Sequence, residues 1–175
     1  MKEDAGRIVF ILGGAKSGKT GFALKKAALH PGKKAYIATA QPLDTEMTER
    51  IERHRAERGA SWDTYEEPLK ISGVIQEIDG RYGAIVIDCL TLWISNLLHS
   101  RAEVPSESEA LVSALKGMRG PSETYIISNE VGWGIVPANE LAREFRDHAG
   151  AINQHMAEAA DEVYLVTAGI PLKIK

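Results

Sequence analysis

The run Ile8-Val9-Phe10-Ile11-Leu12, closed by Gly13-Gly14-Ala15-Lys16-Ser17-Gly18-Lys19-Thr20, constrains this chain more than any other feature. Continuous apolar, branched side chains are what a strand buried on both faces of a parallel sheet requires. The residues that follow match G-x4-G-K-[ST], and helical spacing is expected directly behind them, over 19–29. In such a loop the glycines let the backbone close around an anion. Successive N–H groups point inward, and the N-terminus of the helix adds about half a positive charge. Lys19 is positioned to reach β- and γ-phosphates, and Thr20 to offer its hydroxyl to Mg2+, a hard ion that takes oxygen ligands.

The rest of the chain alternates strand and helix patterns. Strands are expected over 34–38, 62–66, 84–87 and 124–128, with 162–168 as the last. Helices are expected over 45–58, capped by Asp44 and stopped by Gly59, and over 69–78, 90–98 and 109–116. Pro137 suits the first turn of a long helix whose Leu141, Phe145, Ala149, Ile152, Met156 and Ala160 share one stripe. Residues 100–108 read as a surface loop, and 90–98 is apolar nearly all round, so that neighbours or another subunit must cover it. This order predicts an α/β fold: a three-layer αβα sandwich, P-loop NTPase-like, with a mostly parallel central sheet in a single domain over 1–175.

Composition narrows the function classes. Hydrophobic residues make up 44% and charged residues 26% of 175 positions, enough for a buried core. Lys and Arg total 21 against 24 Asp and Glu, a net charge of −3, which argues against gripping nucleic acid by bulk charge. The single cysteine, Cys89, cannot form an internal disulfide, and no four-ligand Cys/His spacing suggests a structural zinc. No apolar run approaches the roughly 20 residues of a membrane span. Lys2, Glu3 and Asp4 do not resemble a signal peptide, so the expected setting is cytoplasmic.

Other residues admit two readings each. Asp88, behind an apolar strand, can hold the nucleotide's metal or simply cap a solvated turn. Met47, Ile51 and His54 fall on nearly one helix face, which suits packing. Arg50, Arg53, Arg55 and Arg58 are balanced by Glu49, Glu52 and Glu57, as on a solvated face. The alternative is that these arginines hold polyphosphate and keep the His54 ring neutral, leaving a nitrogen to attack phosphorus. Trp133, in the unusual loop 129–137, either shields a ligand or packs. Cys89 reads as a small buried residue beside the site.

Three segments together carry a family likeness: residues 13–20; Tyr36-Ile37-Ala38-Thr39-Ala40 with Asp44, Glu46, Met47, Arg50, Ile51, His54 and Arg55; and Asn129-Glu130-Val131-Gly132 with Gly134-Ile135-Val136-Pro137. The chain resembles the bifunctional adenosylcobinamide kinase / adenosylcobinamide-phosphate guanylyltransferases of cobalamin biosynthesis over nearly its whole length, including Leu141-Ala142-Arg143 and Phe145-Arg146-Asp147. The resemblance implies two reactions. ATP or GTP phosphorylates adenosylcobinamide; then His54 attacks the α-phosphate of GTP, expels pyrophosphate, and carries GMP as a phosphoramidate to adenosylcobinamide phosphate.

The same resemblance implies that Gly13, Gly14, Ala15, Lys16, Ser17, Gly18, Lys19 and Thr20 bind phosphates. Ala38, Thr39, Ala40, Arg55, Ala56, Glu57 and Arg58 are to line the nucleotide site, with Glu66 and Asp88 contacting the nucleotide. Asp88 stands where many members carry Glu, and metal and guanine are its two possible partners. Mg2+ at Thr20 and a homotrimer with sites near subunit boundaries complete the expectation. The phosphate loop alone would also suit a monofunctional small-molecule kinase or a nucleotide-dependent switch protein.

Overall fold

The computed structural model describes residues 6–41 and 61–175. Its elements run β1 (Ile8–Gly13), α1 (Lys19–Ala27), β2 (Lys34–Ala38), β3 (Trp62–Glu66), α2 (Ile71–Ile78), β4 (Ala84–Asp88), α3 (Leu90–His99), α4 (Val104–Lys116), β5 (Glu123–Asn129), α5 (Glu140–Ala159), β6 (Glu162–Thr167) and β7 (Ile170–Lys173). The seven strands form one sheet in the order β3-β2-β4-β5-β1-β6-β7, parallel throughout except for the antiparallel β6–β7 pair.

The apolar runs work as a two-sided core because successive strand side chains point to opposite faces. Ile8, Phe10, Ile37, Ile85, Ile87 and Ile126 join the cluster covered by α2 to α5, through Ile75, Trp93, Leu111 and Met156. Val9, Ile11, Tyr36, Val86, Tyr125 and Ile127 face the other way and meet Ala23 and Ala27 of α1. Helices thus lie on both faces of the sheet, as the alternation of elements predicts.

Four expectations need correction. Residues 104–108 are helical, not loop: α4 begins at Val104 behind Glu103, with proline in its first turn. Its Val104 and Ser108 are buried, so tertiary packing extends the helix through a segment whose Ser, Glu and Pro content looks solvent-bound. Pro137 lies ahead of α5, whose cap is Asn139, with Oδ1 accepting from Ala142 N at 3.0 Å. Leu141 stays half exposed, and the buried stripe of α5 is Ala149, Ile152, Asn153 and Met156. The strand at 162–167 is not the last: the chain turns at Ala168-Gly169, both with positive φ, into β7. The apolar helix α3 is covered by neighbouring elements, one of the two alternatives expected for it, with Leu90, Thr91, Trp93, Ile94 and Leu97 buried. The helix expected over 45–58 lies outside the described residues.

Candidate active site

The site gathers at the C-terminal edge of the parallel strands, where open α/β sheets bind ligands. Backbone sterics dictate the shape of the phosphate loop. A Cβ on Gly13 would lie 2.3 Å from Val166 O and 2.7 Å from Ser17 Oγ. Gly18, which precedes α1, has φ +100, and a Cβ there would come within 3.2 Å of Gly169 Cα. Two further bonds brace the loop: Ser17 N donates to Gly14 O at 3.2 Å, and Gly169 N of the β6–β7 turn donates to Ser17 O at 2.8 Å. Lys19, buried, curls its Nζ onto Gly14 O at 2.6 Å.

Beside the loop, Asp88 ends β4. Its Oδ2 accepts from the Thr20 hydroxyl and the Tyr36 hydroxyl, each at 2.8 Å. Strand register places Glu66, Ala38 and Asp88 in one row across β3, β2 and β4, about 4.8 Å from strand to strand. The residues behind Ala38 are pinned from below. Thr39 is buried, and its Oγ1 accepts from Cys89 N and donates to Cys89 O, both at 2.8 Å. Thr39 O in turn accepts from Asn96 Nδ2 of α3 at 2.8 Å. The Thr39 side chain is therefore spent on joining β2 to β4. Burial, with the Asp88 charge adding to it, pushes the Cys89 thiol up to about 11, so this cysteine is a protonated packing residue beside the site.

On the opposite side of the loop a cleft of about 390 Å³ opens between Gly14, Ala15, Lys16 and Ser17, the segment 165–168, Glu130 and Trp133. Glu130 N donates to Gly13 O at 3.1 Å, which holds the residue against the loop. Its Oε1 accepts from Gly132 N at 2.8 Å. Trp133 is 79% exposed, with Ile135 and Val136 exposed behind it. The indole is therefore a wall of the cleft and no part of the core. Arg143 of α5 ties this loop down, Nη1 donating to Pro137 O at 3.0 Å and Ala138 O at 2.6 Å.

The structure thus brings together residues 13–20, Ala38, Thr39, Asp88 and, at the end of the same strand row, Glu66. His54, Arg55, Ala56, Glu57 and Arg58 lie outside the described residues. Three participants were not singled out as site residues from the sequence: Tyr36, Asn96 and Glu130. Tyr36 carried a usable signal, since alternation puts it on the same face as Ala38 and a buried hydroxyl needs a partner. Among the described residues no group of three or more His, Cys, Asp or Glu could hold a metal ion, and no helix is long and apolar enough to cross a membrane.

Known proteins resemble this chain in fold and in sequence. A crystal structure of the RadB recombinase superposes with a TM-score of 0.56 at 15% identity, covering 93% of this chain and 74% of that one. That likeness supports the α/β fold alone. Among curated sequences, the bifunctional adenosylcobalamin biosynthesis protein CobP of Pseudomonas aeruginosa is 41% identical over 94% of this chain and 95% of its own length. The CobU proteins of Salmonella typhimurium and Escherichia coli, of the same description, are 38% and 36% identical, each over 96% of this chain and 99% of their own. Residues 9–174 match the family described as cobinamide kinase / cobinamide phosphate guanyltransferase, and the chain belongs to that family.

Proposed function

We propose that this chain carries both reactions in its family's description: phosphorylation of adenosylcobinamide by ATP or GTP, then transfer of GMP from GTP to adenosylcobinamide phosphate. The observation that carries the reading is the phosphate loop with Lys19 and the Thr20–Asp88 pair, in a family member related over nearly its whole length. Phosphoryl transfer depends mainly on positioning and on opposing the developing charge. Lys19 would exchange the neutral carbonyl of Gly14 for phosphate oxygens, a stronger charge-assisted partner. The N-terminus of α1 adds partial positive charge at the same loop.

The Thr20 hydroxyl and Asp88 carboxylate fit Mg2+, since both are hard oxygen donors and already sit within hydrogen-bond reach of each other. Bound there with the triphosphate, the ion would neutralise charge on the transferring group. We take Thr20 as the direct ligand and Asp88 as the residue that orients it. This assigns Asp88 to the metal side of the nucleotide, because its partner is a loop hydroxyl. Glu66, at the far end of the strand row, is left to contact the nucleoside, with Ala38, Thr39, Ala40, Arg55, Ala56, Glu57 and Arg58.

For the second reaction we assign His54 as the nucleophile. A covalent carrier divides GMP transfer into two displacements at phosphorus, so that each acceptor is aligned separately. The arginines around it in sequence favour a neutral ring. The test is mass spectrometry of the intact chain after mixing with GTP and Mg2+. The expected result is an acid-labile GMP adduct that maps to His54, is absent from His54→Ala, and forms with release of pyrophosphate. A wild-type chain that takes up no GMP rejects the transferase and leaves a kinase. We also propose a homotrimer, supported by the exposed Ile170, Leu172 and Ile174 along and just beyond the edge strand β7. A monomer mass in sedimentation would reject it.

A further inference from the structure

We propose that Glu130 is the catalytic base of the kinase reaction, accepting the proton of the corrinoid's hydroxyl in the cleft between the phosphate loop and Trp133. The inference rests on the kinase reading above and assigns a residue to it. An acceptor of a γ-phosphoryl group must approach phosphorus in line with the breaking β–γ bond, on the face opposite the leaving diphosphate. The cleft lined by Gly14, Ala15, Lys16 and Ser17 opens beside the phosphate loop, and Glu130 is the one carboxylate on its wall among the described residues. Its placement is fixed by backbone: Glu130 N on Gly13 O anchors it to the loop, and Gly132 N on Oε1 orients the carboxylate. Oε2 makes no hydrogen bond among the described residues and is left to accept one from the acceptor.

Size says how the acceptor enters. A cavity of about 390 Å³ holds an arm of a corrinoid but not its macrocycle. The macrocycle must therefore rest on the rim, where Trp133 lines the cleft and Ile135 and Val136, two and three residues further along the chain, are exposed. Side chains of this kind gain by covering a broad, largely apolar ring. In the step itself the hydroxyl oxygen forms a bond to the γ-phosphorus of the nucleoside triphosphate while the bridging β–γ oxygen bond breaks. The hydroxyl proton passes to Glu130, and the nucleoside diphosphate leaves with the bond's electron pair.

The experiment follows adenosylcobinamide-dependent formation of nucleoside diphosphate in wild type, Glu130→Gln, Glu130→Asp and Trp133→Ala. Glu130→Gln is expected to lose about 10²- to 10⁴-fold in kcat, with the KM for nucleotide near its original value, and Glu130→Asp to recover part of the loss. Trp133→Ala is expected to raise the KM for the corrinoid by about 10-fold or more. A wild-type chain that phosphorylates adenosylcobinamide, with Glu130→Gln within roughly threefold of it in kcat, overturns this inference and leaves the kinase reading intact. A wild-type chain with no corrinoid-dependent turnover overturns both.

Discussion

The two sides of the phosphate loop are built in opposite ways. Towards β4, the Asp88 carboxylate takes hydroxyls from Thr20 and Tyr36, and Thr39 is locked to the Cys89 backbone. These contacts are polar and largely enclosed. Towards β6, the cleft is walled by Trp133 and backed by exposed Ile135 and Val136, an apolar rim open to solvent whose backbone is held by Arg143. A triphosphate with its metal has the same shape in every turnover, so a preorganised polar wall suits it. A bulky acceptor that must enter and leave is better served by a rim that packs only when occupied.

The sharpest attempt to break this division is to remove the group that serves both sides. Lys19→Ala is expected to lower kcat/KM for phosphorylation and for guanylyl transfer alike, each by on the order of 10²- to 10³-fold. Activity near the wild-type level in either reaction would mean that the two do not share one phosphate loop. Next in size comes Asp88→Asn, which keeps the shape but loses the charge beside Thr20. A Mg2+ titration of the kinase is expected to shift by on the order of 10- to 100-fold, as for other residues that orient a metal ligand. The KM for the corrinoid should move far less. A change confined to the corrinoid, with the Mg2+ response intact, would reverse the roles given to the two sides.

Much of this was legible from the chain. The phosphate loop is written in one local motif, and β1 and β4 are continuous apolar runs bounded by glycine or aspartate, so periodicity alone places them. Asp88 stood out as the polar end of that apolar run, with a metal role and a solvated turn both open to it. What escaped depends on distant partners. Tyr36 matters because the register of β2 against β4 brings its hydroxyl to Asp88, and no local pattern encodes register. The start of α4 escaped because Val104 and Ser108 are buried by other elements while their neighbours in sequence are polar. The strand β7 escaped because Ile170-Pro171-Leu172-Lys173 is short and contains a proline, tolerable only where one edge of the strand is free. Glu130 lay in a loop whose glycines announced a special conformation without saying which wall of the site it would form.

That edge strand supplies the smallest and most local test of the comparison. Glu162 at the start of β6 accepts from Arg7 Nη2 at 2.6 Å, from the Tyr164 hydroxyl at 2.8 Å, and pairs with Lys173 Nζ of β7 at 2.9 Å. Lys173 first, then Tyr164 and Arg7, hold its carboxyl at about 2, well below the ordinary glutamate value of 4.5. A carboxyl depressed in the folded state binds fewer protons there than in the unfolded chain. It therefore contributes stability that is fully present above 4.5 and is lost as the pH falls towards 2. Arg7 and Lys173 are each about half exposed, so salt weakens the clamp. At low ionic strength, hydrogen exchange of the β7 amides should quicken between about pH 4.5 and 2, relative to intrinsic rates, while amides around Thr39 and Asp88 keep their protection. Glu162→Gln should remove that pH dependence, and added salt should shrink it. Equal loss of protection on both sides of the loop would mean that the cleft side opens only with the whole sheet, and the contrast between a fixed wall and a loosely held one would fail.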